Sequence, residues 1–296
     1  MNPATKTLQY MKYMLYVLPA FIIWLVFALY PNLQVLWLGF FKWNGIDPNM
    51  EFVGLENFRI LFLQPELWRS ALNTLLYVVF LLFFVLVVGT FVAVQLMHNS
   101  RLNRFYRSAV FFPFTLSAAA VGLTFGYLYD PFVGLYGTII NMLGLPLAGN
   151  PLDTPGLGIF LIVVTHAWHG LGVPITICLA GLVGIPETLN EAATVDGAGS
   201  IRRFFFITLP LLTPTLSRIF LLNVIVGVMA FDYVFAIRSA SIMQPFSTLS
   251  AQMYMLSRSG TNVGLSAATS LILSVMIVIV FVIQFITTNR AEEKIN

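Results

Sequence analysis

Long apolar stretches alternate with short polar ones along this chain. Six stretches are long enough to form apolar helices, and they lie at about 13–41, 71–97, 108–129, 158–182, 215–237 and 265–287. A helix needs roughly 20 mostly apolar residues to cross about 30 Å of hydrocarbon. No connection between the stretches is long enough for a globular domain. The pattern therefore predicts an all-α integral membrane protein, with six transmembrane helices in one domain over residues 1–296.

The composition agrees with lipid as the solvent. The 296 residues are 58% hydrophobic and 9% charged, whereas a soluble domain carries roughly 25% charged residues. The first apolar stretch is too long for a signal peptide and has no small-residue cleavage site, so we expect it to be a membrane span. Cys178 is the single cysteine, so no disulfide can form within the chain.

The basic residues flank the apolar stretches, which indicates orientation signals rather than a nucleic-acid surface. Ten of the fifteen Lys and Arg lie on the side of the N-terminus, the second and fourth connections and the C-terminus, with Arg218 counted in the fourth connection. Cytoplasmic loops carry the excess of Lys and Arg. The protein is therefore expected in the cytoplasmic (inner) membrane, with both termini and the polar loop 186–210 in the cytoplasm.

The loop 186–210 has helix start and stop signals of its own. Pro186 suits the first turn of a helix, where its missing N–H costs nothing, and Glu187 favours the N-terminal end of the helix dipole. Gly197 and Gly199 are expected to end the helix by adopting a positive φ, and Leu209 and Pro210 to turn the chain back into lipid. An ordinary linker is the alternative. The favoured interpretation is a rigid helix that transmits a push from a soluble partner to the spans.

Prolines and small residues mark places where the spans bend or pack closely. Pro113 and Pro174 lie inside spans and predict either packing kinks or hinges along a pathway. Ala118, Gly122 and Gly126 are spaced by four, which lets another helix approach, either in this chain or in another subunit. Outside the spans, short helices are expected at 55–63, along the outer membrane interface, and at 136–143.

The loop also carries a specific family resemblance. Glu191-Ala192-Ala193 and Asp196-Gly197-Ala198, followed by ITLP at 207–210, resemble the coupling-loop signature of binding-protein-dependent ABC importer permeases. FVGLENF at 52–58, the Asn-Thr pair at 73–74, and the stretches 107–113 and 130–141 resemble the sugar branch, closest to the first permease subunit of the maltose and glycerol-3-phosphate type. The stretch 238–245 lacks the Gly-Gly-Pro that this branch often has.

The resemblance implies the architecture and the partners of a type I ABC importer permease. This chain would form a heterodimer with a second permease, two ATPase subunits would each grip one cytoplasmic coupling helix, and an extracytoplasmic solute-binding protein would deliver a sugar. ATP and Mg²⁺ would be bound by the ATPase subunits, and this chain would hold no cofactor and catalyse no reaction. The coupling residues that it implies are Glu187, Glu191, Ala192, Ala193, Asp196, Gly197 and Ala198.

The sequence agrees that energy must come from another chain. It contains no Gly-x-x-x-x-Gly-Lys-[Ser/Thr] phosphate cradle and no Gly-Lys dipeptide, which excludes nucleotide binding by that motif. Shifting a two-state pathway from 1:99 to 99:1 takes roughly 5.5 kcal/mol of differential binding. We expect closure of the ATPase subunits, passed on through the loop, to supply this free energy.

Polar residues inside spans are costly and commonly face a cavity or a neighbour. In maltose-type relatives the cargo site lies on the spans before and after the coupling loop, which gives these candidates: His166, Trp168, His169, Gly170, Asn223, Gly227, Asp232 and Tyr233. Trp168 and Tyr233 could stack on a sugar ring, and Asp232 could bond hydroxyls. The alternatives are histidines that bond to the backbone, aromatic packing and helix capping by Asp232. A histidine metal pair has no evident third ligand.

Two other classes of protein fit less well. A secondary transporter usually has inverted repeats and charged residues at mid-membrane, and no such repeat is evident. A membrane enzyme built on His166 and His169 would lack paired carboxylates. Within the importer class, the alternative cargoes are glycerol-3-phosphate, a polyol or another polar solute.

Overall fold

The computed structural model describes residues 3–98, 100–145, 149–154, 156–238, 247–258, 260 and 262–292. Side chains are described from residue 13 to residue 286 within these ranges, except at residue 238. Four helices in this part of the chain are long and apolar enough to cross a membrane: Tyr13–Leu38, Pro65–Gln95, Ser200–Val228 and Val263–Ile286. Two further helix pairs are sharply bent. Counting each bent pair as one span gives six spans.

The backbone divides into two compact units. The first comprises residues 1–63 and 253–272. It begins with a long helical segment made of the helix α1 (Pro3–Trp24), a π-helical stretch (Leu25–Leu29) and the helix α2 (Tyr30–Leu38). The strands β1 (Phe41–Lys42) and β2 (Glu51–Phe52) then pair in antiparallel fashion, with Phe41 opposite Phe52. The helix α3 (Glu56–Leu63) follows, close to the predicted bounds. Its place at a membrane interface stays a prediction.

Two buried asparagines hold the first unit together. The Asn57 side-chain amide donates to the carbonyl oxygens of Gly39 and Phe41, each at 2.9 Å. The Asn262 amide donates to Asn57 Oδ1 at 3.1 Å. Because a buried polar group is costly without a partner, this pair fixes the strand β1 against α3 and the start of the last helix.

The second unit comprises residues 64–252 and 273–296. Its α-helices up to the polar loop are α4 (Pro65–Leu82), α5 (Gly89–Gln95), α6 (Arg101–Phe111), α7 (Ala118–Leu128), α8 (Leu135–Met142), α9 (Leu157–Gly170) and α10 (Gly172–Val183). A π-helical stretch (Phe83–Val88) joins α4 to α5, and 3₁₀ turns lie at Phe112–Thr115 and Pro151–Asp153.

From the polar loop onward, the helices are α11 (Glu187–Val195), α12 (Ser200–Arg203), α13 (Leu209–Val228), α14 (Asp232–Arg238), α15 (Leu249–Arg258) and α16 (Val263–Glu292). A π-helical stretch (Phe204–Thr208) joins α12 to α13.

Both prolines that the sequence singles out lie next to a sharp bend. The helices on either side of residues 116–117 meet at 95°, and Pro113 lies in the 3₁₀ turn just before this break. The helices α9 and α10 meet at 55° at Leu171, and Pro174 lies in the first turn of α10, where its missing N–H is tolerated. The predicted breaks in these two spans are present.

The small residues of α7 pack against a helix of the same chain. A Cβ built on Gly122 would lie 2.5 Å from the Cβ of Ala236, and one on Gly126 would lie 3.0 Å from the Ile237 carbonyl oxygen. Only a residue without a side chain fits at such a distance. The partner that the sequence left open is therefore α14.

The predicted fifth span, 215–237, is wrong at its C-terminal end, because the helix breaks within it. The helix runs without a break from Ser200 to Val228, and α14 is a separate helix. Leu209 and Pro210 therefore form no turn. Pro210 is the second residue of α13 and directly follows a π-helical stretch, whose different hydrogen-bond pattern tolerates the missing N–H of a proline. Arg218 lies well inside this helix rather than in the polar loop, and its side chain is exposed.

Candidate functional site

The helix α11 occupies the centre of the predicted coupling loop. Glu187 begins it, and Pro186 is the N-cap residue before the helix rather than part of its first turn. At its other end, the Ala198 N–H donates to the Ala193 carbonyl at 2.9 Å and the Gly197 N–H donates to the Thr194 carbonyl at 3.0 Å. Gly197 has a φ of 78°. This pattern satisfies the last carbonyls of a helix and needs a residue that tolerates a positive φ, so Gly197 ends the helix as predicted.

Gly199 does not act in the predicted way. Its φ is −64°, which any residue adopts, and it precedes α12 as the N-cap residue. Helix termination therefore uses one glycine, and the second begins the next helix.

Most of the α11 surface is open. Ala193 is its one buried residue, whereas Val195 is 88% exposed. Glu187, Glu191 and Asp196 are exposed, and none of them forms an ion pair with a described residue. The open surface thus offers both carboxylates and apolar side chains to a partner.

The candidate pathway residues His166, His169 and Tyr233 lie together, with Tyr77 as a fourth member. We call these four side chains the His–Tyr cluster. His166 Nδ1 lies 2.8 Å from the Tyr77 hydroxyl, and the His166 ring stacks on Tyr233 with 4.4 Å between ring centroids. His169 Nδ1 lies 2.6 Å from the Tyr233 hydroxyl. All four side chains are buried, so the cluster joins α4, α9 and α14.

His169 also supports the sharper bend. Its Nε2 lies 3.1 Å from the carbonyl oxygen of Leu116, at the break before α7. A carbonyl can only accept, so Nε2 carries the proton. In the neutral ring, Nδ1 then accepts the hydrogen bond from the Tyr233 hydroxyl. The histidine thus satisfies a carbonyl that the broken helix leaves without an intrahelical partner.

The other candidate residues lie in different surroundings. Trp168 is 46% exposed and contacts the Phe125 ring. The Asn223 amide donates to the Ile219 carbonyl of its own helix, and Gly227 is buried against Val78 of α4. Asp232 is exposed in the first turn of α14, and Gly170 leaves room beside the His166 ring.

Sequence reasoning missed Tyr77. A tyrosine inside an apolar span is a usable signal, because a buried tyrosine hydroxyl usually has a partner. That the partner is His166 depends on tertiary packing, since 89 residues separate the two. Among the described residues, no group of three His, Cys, Asp or Glu side chains is placed to hold a metal ion.

The long apolar helices and the bent helix pairs define a multi-span helical membrane protein, and α11 is a capped helix on its exposed surface. Residues 85–292 match the family described as the inner membrane component of binding-protein-dependent transport systems. The chain belongs to this family, and it is therefore a transport permease subunit of an inner membrane.

Named relatives match nearly the whole chain. It is 30% identical over 284 residues to the sn-glycerol-3-phosphate transport system permease protein UgpA of Pectobacterium atrosepticum, covering 95% of this chain and 94% of the relative. It is 29% identical over 271 residues to the multiple sugar-binding transport system permease protein MsmF of Streptococcus mutans, covering 92% and 93%.

A solved structure has the same fold. A chain of a bacterial ABC transporter involved in the import of the acidic polysaccharide alginate aligns with a TM-score of 0.83 at 20% identity. The alignment covers 98% of this chain and 99% of that one. At this identity the likeness supports the fold alone.

Proposed function

We propose that this chain is one of two permease subunits of an ATP-driven importer that moves a carbohydrate across the inner membrane by alternating access. The observation that carries the proposal is α11, a short capped helix with an open surface, joined closely to a 29-residue helix. Such a helix can be gripped from outside the membrane and can pass the movement on. The ATPase subunits, which bind ATP and Mg²⁺, are the proposed source of that movement.

The proposed coupling residues are those of α11 and its exit: Glu187, Glu191, Ala192, Ala193, Asp196, Gly197 and Ala198. The test is ATP-dependent uptake by the assembled complex in proteoliposomes, with residues 187–195 replaced by a glycine–serine segment of equal length. We expect the replacement to abolish uptake while the complex still assembles. Uptake at the wild-type rate would overturn the proposal.

The relatives' names support two cargo classes, a sugar and sn-glycerol-3-phosphate. We take a carbohydrate as the proposed cargo and sn-glycerol-3-phosphate as the alternative, because both classes occur in the relatives' names. The experiment is direct binding of labelled maltose and labelled sn-glycerol-3-phosphate to the solute-binding protein of the same transport system. If the solute-binding protein bound sn-glycerol-3-phosphate and not maltose, the proposed cargo would be sn-glycerol-3-phosphate instead of a carbohydrate.

The candidate pathway residues can be tested separately from the cargo. We propose that the faces with His169 and Asn223 contribute to the route, together with Trp168 and Tyr233. Uptake assays on His169→Ala and Asn223→Ala should give a raised apparent KM. An unchanged apparent KM in both variants would remove these faces from the route. The proposed orientation, with both termini in the cytoplasm, is testable by labelling single cysteines introduced near each end.

A further inference from the structure

A single arginine connects α11 to the long helix that follows it. Four residues, 196–199, separate α11 from Ser200, and Arg203 lies one turn into the long helix. Arg203 Nη1 donates to the Asn190 carbonyl at 3.4 Å and to the Thr194 hydroxyl. The Thr194 hydroxyl in turn donates to the same Asn190 carbonyl at 2.6 Å. These three groups form a closed network across the turn.

The chemistry of this contact suits an arginine. Its partners are a carbonyl and a hydroxyl, both neutral, and no carboxylate of a described residue lies within 4.0 Å of it. The guanidinium carries several N–H donors in a rigid plane and stays charged. A cation is also favourable near the C-terminal part of a helix, where the helix dipole is negative.

We propose that Arg203 is a positioning residue that fastens α11 to the base of the Ser200–Val228 helix, so that both move as one body. This inference rests on the proposed coupling function of α11. Without the contact, the two helices would be joined through a turn that contains two glycines, and glycine is the most flexible residue in a chain. A push on α11 would then rotate it about the turn. With the contact, the push reaches a helix that is about 43 Å long at 1.5 Å per residue.

The experiment compares Arg203→Ala with Arg202→Ala in the assembled complex. Arg202 is the matched control, because it is the neighbouring arginine, is exposed and makes no hydrogen bond to a described residue. The measured quantity is the ratio of solute imported to ATP hydrolysed in proteoliposomes. We expect Arg203→Ala to lower this ratio about fivefold or more and Arg202→Ala to leave it within about twofold, since exposed positions without contacts tolerate substitution.

Milder variants keep the test valid if Arg203→Ala assembles poorly. Thr194→Val removes the hydroxyl and keeps the shape, and Arg203→Lys keeps the charge without the planar fork. Residues in one network are not independent. We therefore expect the double variant Arg203→Lys/Thr194→Val to have the same import ratio as the worse of its two single variants. The proposal would be overturned if the reductions in import ratio of the two single variants multiplied in the double variant. A wild-type import ratio in Arg203→Ala would also overturn it.

A second measurement separates this inference from the proposed function. Amide hydrogen exchange at residues 187–198 reports the mobility of α11 whether or not the complex transports solute. Faster exchange in Arg203→Ala but not in Arg202→Ala supports the fastening contact, and equal exchange contradicts it. A wild-type complex that imports nothing with ATP would overturn the coupling function, while the exchange result would still decide the contact.

Discussion

The His–Tyr cluster and α11 both carry polar side chains, but their surroundings are opposite. In the cluster, ring nitrogens and hydroxyls bond to one another, and each of the four side chains is less than 9% exposed. On α11, the carboxylates of Glu187 and Glu191 are exposed and form no ion pair with a described residue. A buried polar group must find its partner inside the protein, whereas an exposed one is free to meet another molecule. The polar groups of the cluster are thus satisfied inside the protein, whereas the carboxylates of α11 remain open to solvent.

The largest loss of stability is expected from removing the ring at the centre of the cluster. Tyr233→Ala deletes a stacked, hydrogen-bonded aromatic side chain and should cost about 3–5 kcal/mol of unfolding free energy. The measurement is SDS-induced unfolding of the purified full chain in detergent micelles. Tyr127→Ala is the control, because Tyr127 is 71% exposed. Equal losses in both variants would contradict the structural role of the cluster.

A smaller loss is expected where α7 supports α14, the helix that carries Tyr233. A side chain at Gly122 would meet Ala236, so Gly122→Val should cost about 1–3 kcal/mol. Ala119→Val, at an exposed position of the same helix, is the control. The same unfolding assay checks both variants, and a stable Gly122→Val would show that α14 is not packed against α7.

Removing one hydroxyl tests the cluster most finely. Tyr77→Phe keeps the ring but leaves His166 Nδ1 without its partner, which should cost about 1–2 kcal/mol. Tyr127→Phe is the matched control and should unfold as the wild type does. If the two variants unfold at the same SDS fraction, the Tyr77–His166 bond contributes nothing to stability.

The smallest effect on stability is expected on α11. Glu191→Ala should change the unfolding free energy by no more than about 0.5 kcal/mol, because its side chain is exposed and free of ion pairs with described residues. ATP-driven uptake should nevertheless fall strongly. The control Glu66→Ala changes an exposed glutamate in the first turn of α4 and should leave uptake unchanged. A large loss of unfolding free energy in Glu191→Ala would show that α11, like the His–Tyr cluster, contributes to stability.

Local signals in the sequence predicted local features of the fold. The apolar stretches predicted long apolar helices, Pro113 and Pro174 marked bends, and Gly197 ended α11. At Pro210 the prediction from a local signal was wrong, because the proline suggested a turn and the helix continues through it. The π-helical stretch (Phe204–Thr208) accommodates that proline, and the helix continues. A local rule cannot predict this, because it depends on the hydrogen-bond pattern of the preceding turn.

Contacts between distant segments could not be predicted from the sequence. Tyr77 meets His166 and His169 meets Leu116 only after the helices pack, and no periodicity links them. The strands β1 and β2 are two residues long each, which is too short for an alternating pattern to appear. For the site, the helix α11 was predictable from its own capping residues, but the environment of His166 and His169 was not.

The first long apolar helix, Tyr13–Leu38, buries none of its most apolar window against other residues that the structure describes. In membrane proteins, a span can insert as an independent helix before any packing between helices takes place. This helix is suited to that order of events, because its apolar window does not depend on packing against other described residues. It can therefore enter the bilayer while the ribosome is still synthesising the later helices, and so serve as a tether during their assembly.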